Sequence, residues 1–260
     1  MTALTVRRDY LAAHRRMAVG RALAAAAAGL VPVPFVDDWL IEAALGGAYR
    51  RIAADHHIDL DGRAVKNLVH GRSRGASLVD LGASAITARL AAQSWKRLML
   101  AWTAVRRAQA AARIFATLTL FDHYCARAHT GLGLDGERAL EINDIIRRSL
   151  AETPGSLSFE PFRRGALAGV RTMARAPLEL ADRASGGRLR KLLSRGSDVA
   201  EPVTIDEVDE LVERELASND GVLARAVAAV ELQLSAEVNP YLDKAIDRFD
   251  ELWRARGPAS

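Results

Sequence analysis

The spacing of apolar residues along the chain predicts an all-α protein. Apolar side chains recur at steps of three or four residues, which is the period of one face of a helix, and no stretch shows the alternation of a half-buried strand. The predicted helices cover about residues 5–30, 38–52, 63–70, 84–128, 137–151, 160–176, 204–216 and 220–253. We therefore expect a multi-helix bundle.

The first two predicted helices form an apolar helical hairpin that contains prolines. Residues 22–36 are an uncharged run of 15, which is shorter than the roughly 20 residues that a transmembrane helix needs. Small residues on both arms would let the helices approach closely, in water as well as in lipid. The sequence therefore leaves open whether the turn sets the hairpin packing or inserts shallowly into a membrane. The candidate residues for either role are Pro32, Val33, Pro34, Phe35 and Trp39.

The last predicted helix is long and amphipathic. Its apolar residues recur at helical spacing from Leu223 to Trp253, and Asn239-Pro240 predicts a kink in the middle. Such a stripe must be covered by another helix. We expect the cover to come either from this chain or from a second copy, so the helix is also a candidate surface for homo-oligomer formation.

Changes in composition along the chain predict two helical regions and a linker. Residues 1–176 form the predicted main helical domain, residues 177–202 a basic linker containing Gly and Pro, and residues 203–260 an acidic helical C-terminal region. The linker carries four candidate anion-binding residues, Arg188, Arg190, Lys191 and Arg195.

Composition and charge narrow the class of protein. The chain is 50% hydrophobic with one cysteine, which excludes a disordered protein and an intramolecular disulfide and is consistent with the cytoplasm. Residues 1–197 hold 30 basic and 17 acidic side chains, whereas residues 198–251 hold 4 basic and 15 acidic ones. This asymmetry indicates an anionic partner or docking of the two parts on each other. The arginines are scattered without aromatic residues between them, which argues against nucleic acid.

One cluster of candidate metal ligands lies between the second and third predicted helices. Asp55, His56, His57, Asp59 and Asp61 are the densest group of such residues, and a metal-dependent hydrolase using them is the alternative function. A calcium loop starting at His57 is excluded, because its twelfth position is Leu68. A polar helix end is the preferred interpretation, with His56, His57, Asp59 and Asp61 kept as the alternative metal ligands.

A second cluster, Asp122, His123, Cys125 and His129, ends the long predicted helix. At about 100° per residue, His123 points about 200° away from Cys125 and about 120° away from His129, so these side chains do not share one face. A site built from different helices would form only if the fold placed His56 or His57 next to this second cluster. No nucleophile, phosphate-loop or zinc-protease motif is present, so catalysis is not favoured and no cofactor is predicted.

The segment from Ala28 to Tyr49, with Pro32, Pro34 and Asp37, resembles the opening of the GTPase-associated helical domain of unknown function typified by YcjF. A later segment from Ala112 to Gly133, with Thr117, Phe121, Tyr124 and Gly131, is similar to that family's second apolar segment, so that the likeness spans about half of the chain. The chain has no GTPase domain of its own. The resemblance implies a non-catalytic scaffold whose partner is a small GTPase or another helical protein, or which lies at an anionic membrane surface. It brings no catalytic residues. The expected location is the cytoplasm, with a peripheral position at the inner face of the membrane as the alternative.

Overall fold

The computed structural model confirms the all-α prediction. It describes residues 9–28, 36–71, 93–153, 164–165, 210, 213–214, 216–218, 221–236 and 240–256. A short 3-10 helix, Asp9–Leu11, leads into the first α-helix. The α-helices of the described residues are α1 (Ala12–Ala28), α2 (Val36–Asp55), α3 (Gly62–His70), α4 (Gln93–Arg127), α5 (Gly136–Glu152), α6 (Val222–Ala236) and α7 (Pro240–Ala255).

Helix α4 lies at the centre of the hydrophobic core. From Leu118 to Cys125 every side chain is buried, as expected of a helix that is surrounded by others. Helices α1, α2, α5 and α7 all contact it. Several small residues of α1, among them Ala18, Ala22 and Ala25, are also buried, and they allow the close contact between α1 and α4.

Helices α3 and α5 begin with aspartate caps. The Asp61 carboxylate accepts a hydrogen bond from the Ala64 backbone N–H, and the Asp135 carboxylate accepts one from Arg138. Each cap supplies an acceptor for one of the backbone donors that the first turn of a helix leaves open. The segments just before these caps, Asp59–Leu60 (β1) and Gly133–Leu134 (β2), pair as two short parallel strands. Sequence periodicity did not predict this pair, because two-residue strands are too short to show an alternation.

The acidic C-terminal region packs on the basic N-terminal helices. Helix α6 contacts α1, and α7 contacts α4 and α5, within one continuous core. Glu213 lies 2.8 Å from guanidinium nitrogens of both Arg21, which is fully buried, and Arg51. These contacts support the docking alternative for the charge asymmetry. The predicted last helix is described as two helices, α6 and α7, on either side of residues 237–239.

Several sequence predictions lie outside the described residues. They concern Pro32 to Phe35 at the hairpin turn, the linker over 177–202 with Arg188, Arg190, Lys191 and Arg195, and most of the helix predicted over 160–176. Trp39 lies in α2, but its side chain is also outside the described part. Among the helices described, none is long and apolar enough to cross a membrane.

Candidate metal centre

A buried carboxylate on the central helix is the focus of the site. Asp122 is 2% exposed, and a carboxylate removed from water needs partners that compensate its charge. Its Oδ1 lies 2.8 Å from His56 Nε2, and its Oδ2 lies 3.0 Å from His14 Nδ1. Two imidazole rings from different parts of the chain therefore meet at one carboxylate.

The end of α2 places His56 beside Asp122. The Ile58 N–H donates to the Ala53 carbonyl and the His57 N–H donates to the Ala54 carbonyl, which is the pair of hydrogen bonds that defines a Schellman motif. His57 supplies the left-handed residue of that motif, with φ of 58°. The backbone reverses immediately after His56. The His56 ring reaches the buried Asp122, whereas the His57 ring is exposed.

Helix α1 supplies the second imidazole from its first turn. The ring of His14 lies with its centroid 5.7 Å from that of His56, and its side chain is only 12% exposed. Its Nε2 lies 2.8 Å from Oδ2 of Asp55, the last residue of α2. Both ring nitrogens of His14 thus face carboxylates, one buried and one 57% exposed.

The electrostatics of the site favour a positive charge at His14. The hydrogen bond to Asp122 is the largest cause that raises the pKa of His14 from 6.5 to about 9, with a further contribution from Asp55 and an opposing one from burial. An imidazole that donates from both nitrogens is an imidazolium. In the absence of a metal, a proton on His14 therefore balances the buried carboxylate.

The same three side chains could hold a metal ion. His14, His56 and Asp122 each offer one ligand atom, and these atoms all lie within 4.8 Å of one another. Two ligands bound to zinc at 2.0–2.2 Å in a tetrahedron are separated by roughly 3.4 Å, so small side-chain shifts would bring the set to bonding distance. Within the described part of the chain, this is the one group of three or more such residues with that spacing.

The neighbour of Asp122 on α4 belongs to a different cluster. His123 Nδ1 lies 2.5 Å from the Tyr10 hydroxyl, and its Nε2 lies 2.7 Å from Asp250 on α7. The Phe249 ring meets the imidazole edge-on, with centroids 5.9 Å apart. Since both nitrogens of His123 are used, this cluster ties α4 to the start of the chain and to α7.

The structure separates the residues of the cluster predicted around the end of α2. His56 joins the site and Asp55 contacts it, whereas His57, Asp59 and Asp61 are not among the three grouped ligands. His57 and Asp59 are exposed, and Asp61 caps α3. A site built from different helices required His56 or His57 next to the second predicted cluster. The structure places His56 beside Asp122.

The other members of the second predicted cluster have separate surroundings. Burial raises the pKa of the Cys125 thiol, so a thiolate ligand is disfavoured there. The His129 ring lies 2.9 Å from the Tyr124 hydroxyl and 3.1 Å from the Gly131 carbonyl. Burial lowers the pKa of His129, and the residue has no place in the His14 group.

Sequence reasoning missed His14 because no other ligand-type residue except Asp9 stands near it in the chain. One feature of the sequence nevertheless pointed to His14. His14 lies on the buried side of α1, three residues after Leu11 and four before Ala18. A histidine at a core-facing position of an otherwise Ala-rich helix needs a polar partner. The sequence alone could have indicated that His14 needs a polar partner, but it could not identify that partner as Asp122.

Comparison with known proteins places the chain in no established family. No family model matches it, and neither a curated protein nor a solved structure is significantly similar. The resemblance to the YcjF-type domain therefore stays a prediction. The fold and the site together describe an α-helical protein with a candidate metal centre.

Proposed function

We propose that this protein binds a divalent transition-metal ion through His14, His56 and Asp122. The observation that carries the proposal is the meeting of two imidazoles, from α1 and from the end of α2, at the buried Asp122 carboxylate. A dication would compensate that carboxylate more fully than the single proton on His14 does, and metal binding would release this proton.

The ligand types favour zinc or iron over calcium or magnesium. Imidazole nitrogens suit zinc, iron, copper and nickel, whereas calcium and magnesium take oxygen ligands. Two histidines and one carboxylate are also the set found in sites that keep coordination positions open. Three protein ligands would leave a coordination position of the ion open for water or a small anion.

An open position on the ion keeps metal-assisted hydrolysis as the activity to test. A bound dication lowers the pKa of its water and so generates hydroxide near neutral pH. This changes the ligand set of the hydrolase alternative, because His14 and Asp122 replace His57, Asp59 and Asp61. The prediction of a GTPase partner, another helical partner or an anionic membrane surface is a separate proposal.

Metal binding is tested on the full chain purified without chelator. Elemental analysis should find about one equivalent of zinc, iron or another transition metal per chain, and the chelated protein should take up zinc again. Zinc at about 100 times its Kd should raise the free energy of unfolding by about 2.7 kcal/mol.

Two adjacent histidines provide the matched variants. His56→Ala should weaken zinc binding by about 100-fold or more, a larger effect than the loss of a residue that only orients a ligand. His57→Ala should leave the affinity within about twofold, because the His57 ring is exposed and outside the ligand group. A wild-type chain with no bound metal and no zinc-dependent change in Tm would show that the cluster is held by protons alone.

A further inference from the structure

Asp55 contacts the candidate metal centre without belonging to its three grouped ligands. Its Oδ2 lies 2.8 Å from His14 Nε2, while the other nitrogen of the same ring, Nδ1, lies 3.0 Å from Asp122 Oδ2. The two nitrogens of His14 are therefore divided between an exposed carboxylate and a buried one.

The shape of the imidazole ring limits what Asp55 can do. The two ring nitrogens point away from each other, so an oxygen that accepts from Nε2 lies on the far side of the ring from an ion bound at Nδ1. Histidines that bind metals commonly donate their other N–H to a carboxylate, which fixes the tautomer and the orientation of the ring. Asp55 stands where such a carboxylate belongs.

The local structure of α2 gives this arrangement a simple origin. Asp55 is the last residue of the helix, and His56 follows it at the start of the Schellman motif. One rigid helix end therefore holds a ligand and the partner of another ligand. The spacing between His56 and His14 is set partly by the hydrogen bond that Asp55 accepts.

We infer that Asp55 is a positioning residue, which holds the Nε2–H of His14 and directs the Nδ1 lone pair towards a metal at Asp122. The inference rests on the proposed function. It assigns the ion to the buried side of the His14 ring, with His56 Nε2 and the Asp122 carboxylate, and it assigns no bond between the ion and Asp55.

The test measures cobalt(II) and zinc binding to the full chain and its variants. Asp55→Ala should lower cobalt and zinc affinity by about 10- to 100-fold, with the stoichiometry and the visible absorption bands of bound cobalt unchanged. Asp55→Asn should restore part of the affinity, since its amide oxygen can still accept from Nε2–H. Asp59→Ala is the control, because Asp59 is also exposed and lies four residues away.

Each result decides between distinct readings. Affinity unchanged in Asp55→Ala would overturn the positioning role and leave the proposed metal site standing. Altered cobalt bands in Asp55→Ala would overturn it in favour of a direct bond from Asp55 to the ion. No metal bound by the wild-type chain would overturn the proposed function, and this inference with it. Circular dichroism in chelator, at the temperature of the titrations, should show the same helix content for Asp55→Ala and Asp59→Ala, which separates lost affinity from lost folding.

Discussion

Asp122 and His123 are neighbours on α4 and are both buried, yet they form clusters of different kinds. Asp122 receives two imidazoles, and a carboxylate has lone pairs enough to accept from both. His123 stands between the Tyr10 hydroxyl and Asp250, with one partner on each nitrogen. In the first cluster, several ligand atoms face one point. In the second cluster, each nitrogen of His123 already faces its own partner, so the ligand atoms do not meet.

This difference matters because a metal ion requires several lone pairs directed at one point. At the Asp122 cluster, His14 Nδ1 and His56 Nε2 both face the same carboxylate, so ligand atoms from two rings meet beside it. At the His123 cluster, a metal on either nitrogen would displace Tyr10 or Asp250 and break a contact between helices. The direction of the lone pairs therefore separates the two clusters.

The largest expected effect comes from removing one carboxylate from each cluster. Asp122→Asn should lower zinc affinity by about 100-fold or more, because it replaces a charged ligand with a neutral amide that is a poor ligand. Asp250→Asn should leave zinc affinity within about twofold and lower the free energy of unfolding by about 1 kcal/mol, by weakening a charge-assisted hydrogen bond. Zinc competition titrations and urea unfolding in chelator give the two quantities. Equal losses of zinc affinity would abolish the distinction between the clusters.

A second expected effect is on the pH dependence of the metal-free protein. The pKa of His14 is raised to about 9 in the fold against 6.5 unfolded, so the folded state binds this proton more tightly. The resulting stabilisation is fully present below pH 6.5 and is lost as the pH rises through 9. Urea unfolding in chelator between pH 6 and pH 10 should show this fall for the wild-type chain.

The control for the pH dependence is His14→Gln, which cannot take up the proton. The difference in stability between the wild-type chain and His14→Gln should shrink as the pH rises from 6.5 to beyond 9. A difference that stays constant over this range would mean that no proton is held between Asp55 and Asp122.

The smallest expected effect is at His57, where the backbone rather than the ring matters. A non-glycine residue in the left-handed region is strained, and glycine is preferred at this position of a Schellman motif. His57→Gly should therefore raise the free energy of unfolding by about 0.5–1 kcal/mol with zinc affinity unchanged. A loss of stability, measured by urea unfolding, would show that the exposed His57 ring makes a contact that the fold depends on.

Much of the helical framework could be predicted from local patterns. The described bounds of α3, Gly62–His70, and of α5, Gly136–Glu152, agree with the predicted 63–70 and 137–151 within one residue at each end. Both helices begin at an aspartate cap and carry apolar residues at helical spacing. The short strand pair was not predicted, since two-residue strands leave no periodic signal. The predicted kink at Asn239-Pro240 falls at the start of α7, and residues 237–239 lie outside the described part of the chain.

The candidate site was only half visible in the sequence. Asp55 and His56 stood out in one local cluster and Asp122 in another, because each has other ligand-type residues beside it in the chain. Their neighbours His57, Asp59 and Cys125 belong to the same two local clusters of the sequence, but the fold does not place them among the grouped ligands. Closeness along the chain selects residues that share a segment, whereas a metal site selects side chains whose ligand atoms share a point.

The sequence by itself determined the all-α class, the bounds of α3 and α5 and the charge asymmetry between the two regions. These properties follow from side-chain entropy, hydrogen bonding and periodicity within short stretches. Only the tertiary structure decided that His14, His56 and Asp122 meet, because the packing of α1 and α2 on α4 brings together residues that are 42 and 66 positions apart in the chain. That packing depends on how many apolar faces fit together at once, and no single segment of the chain contains that information.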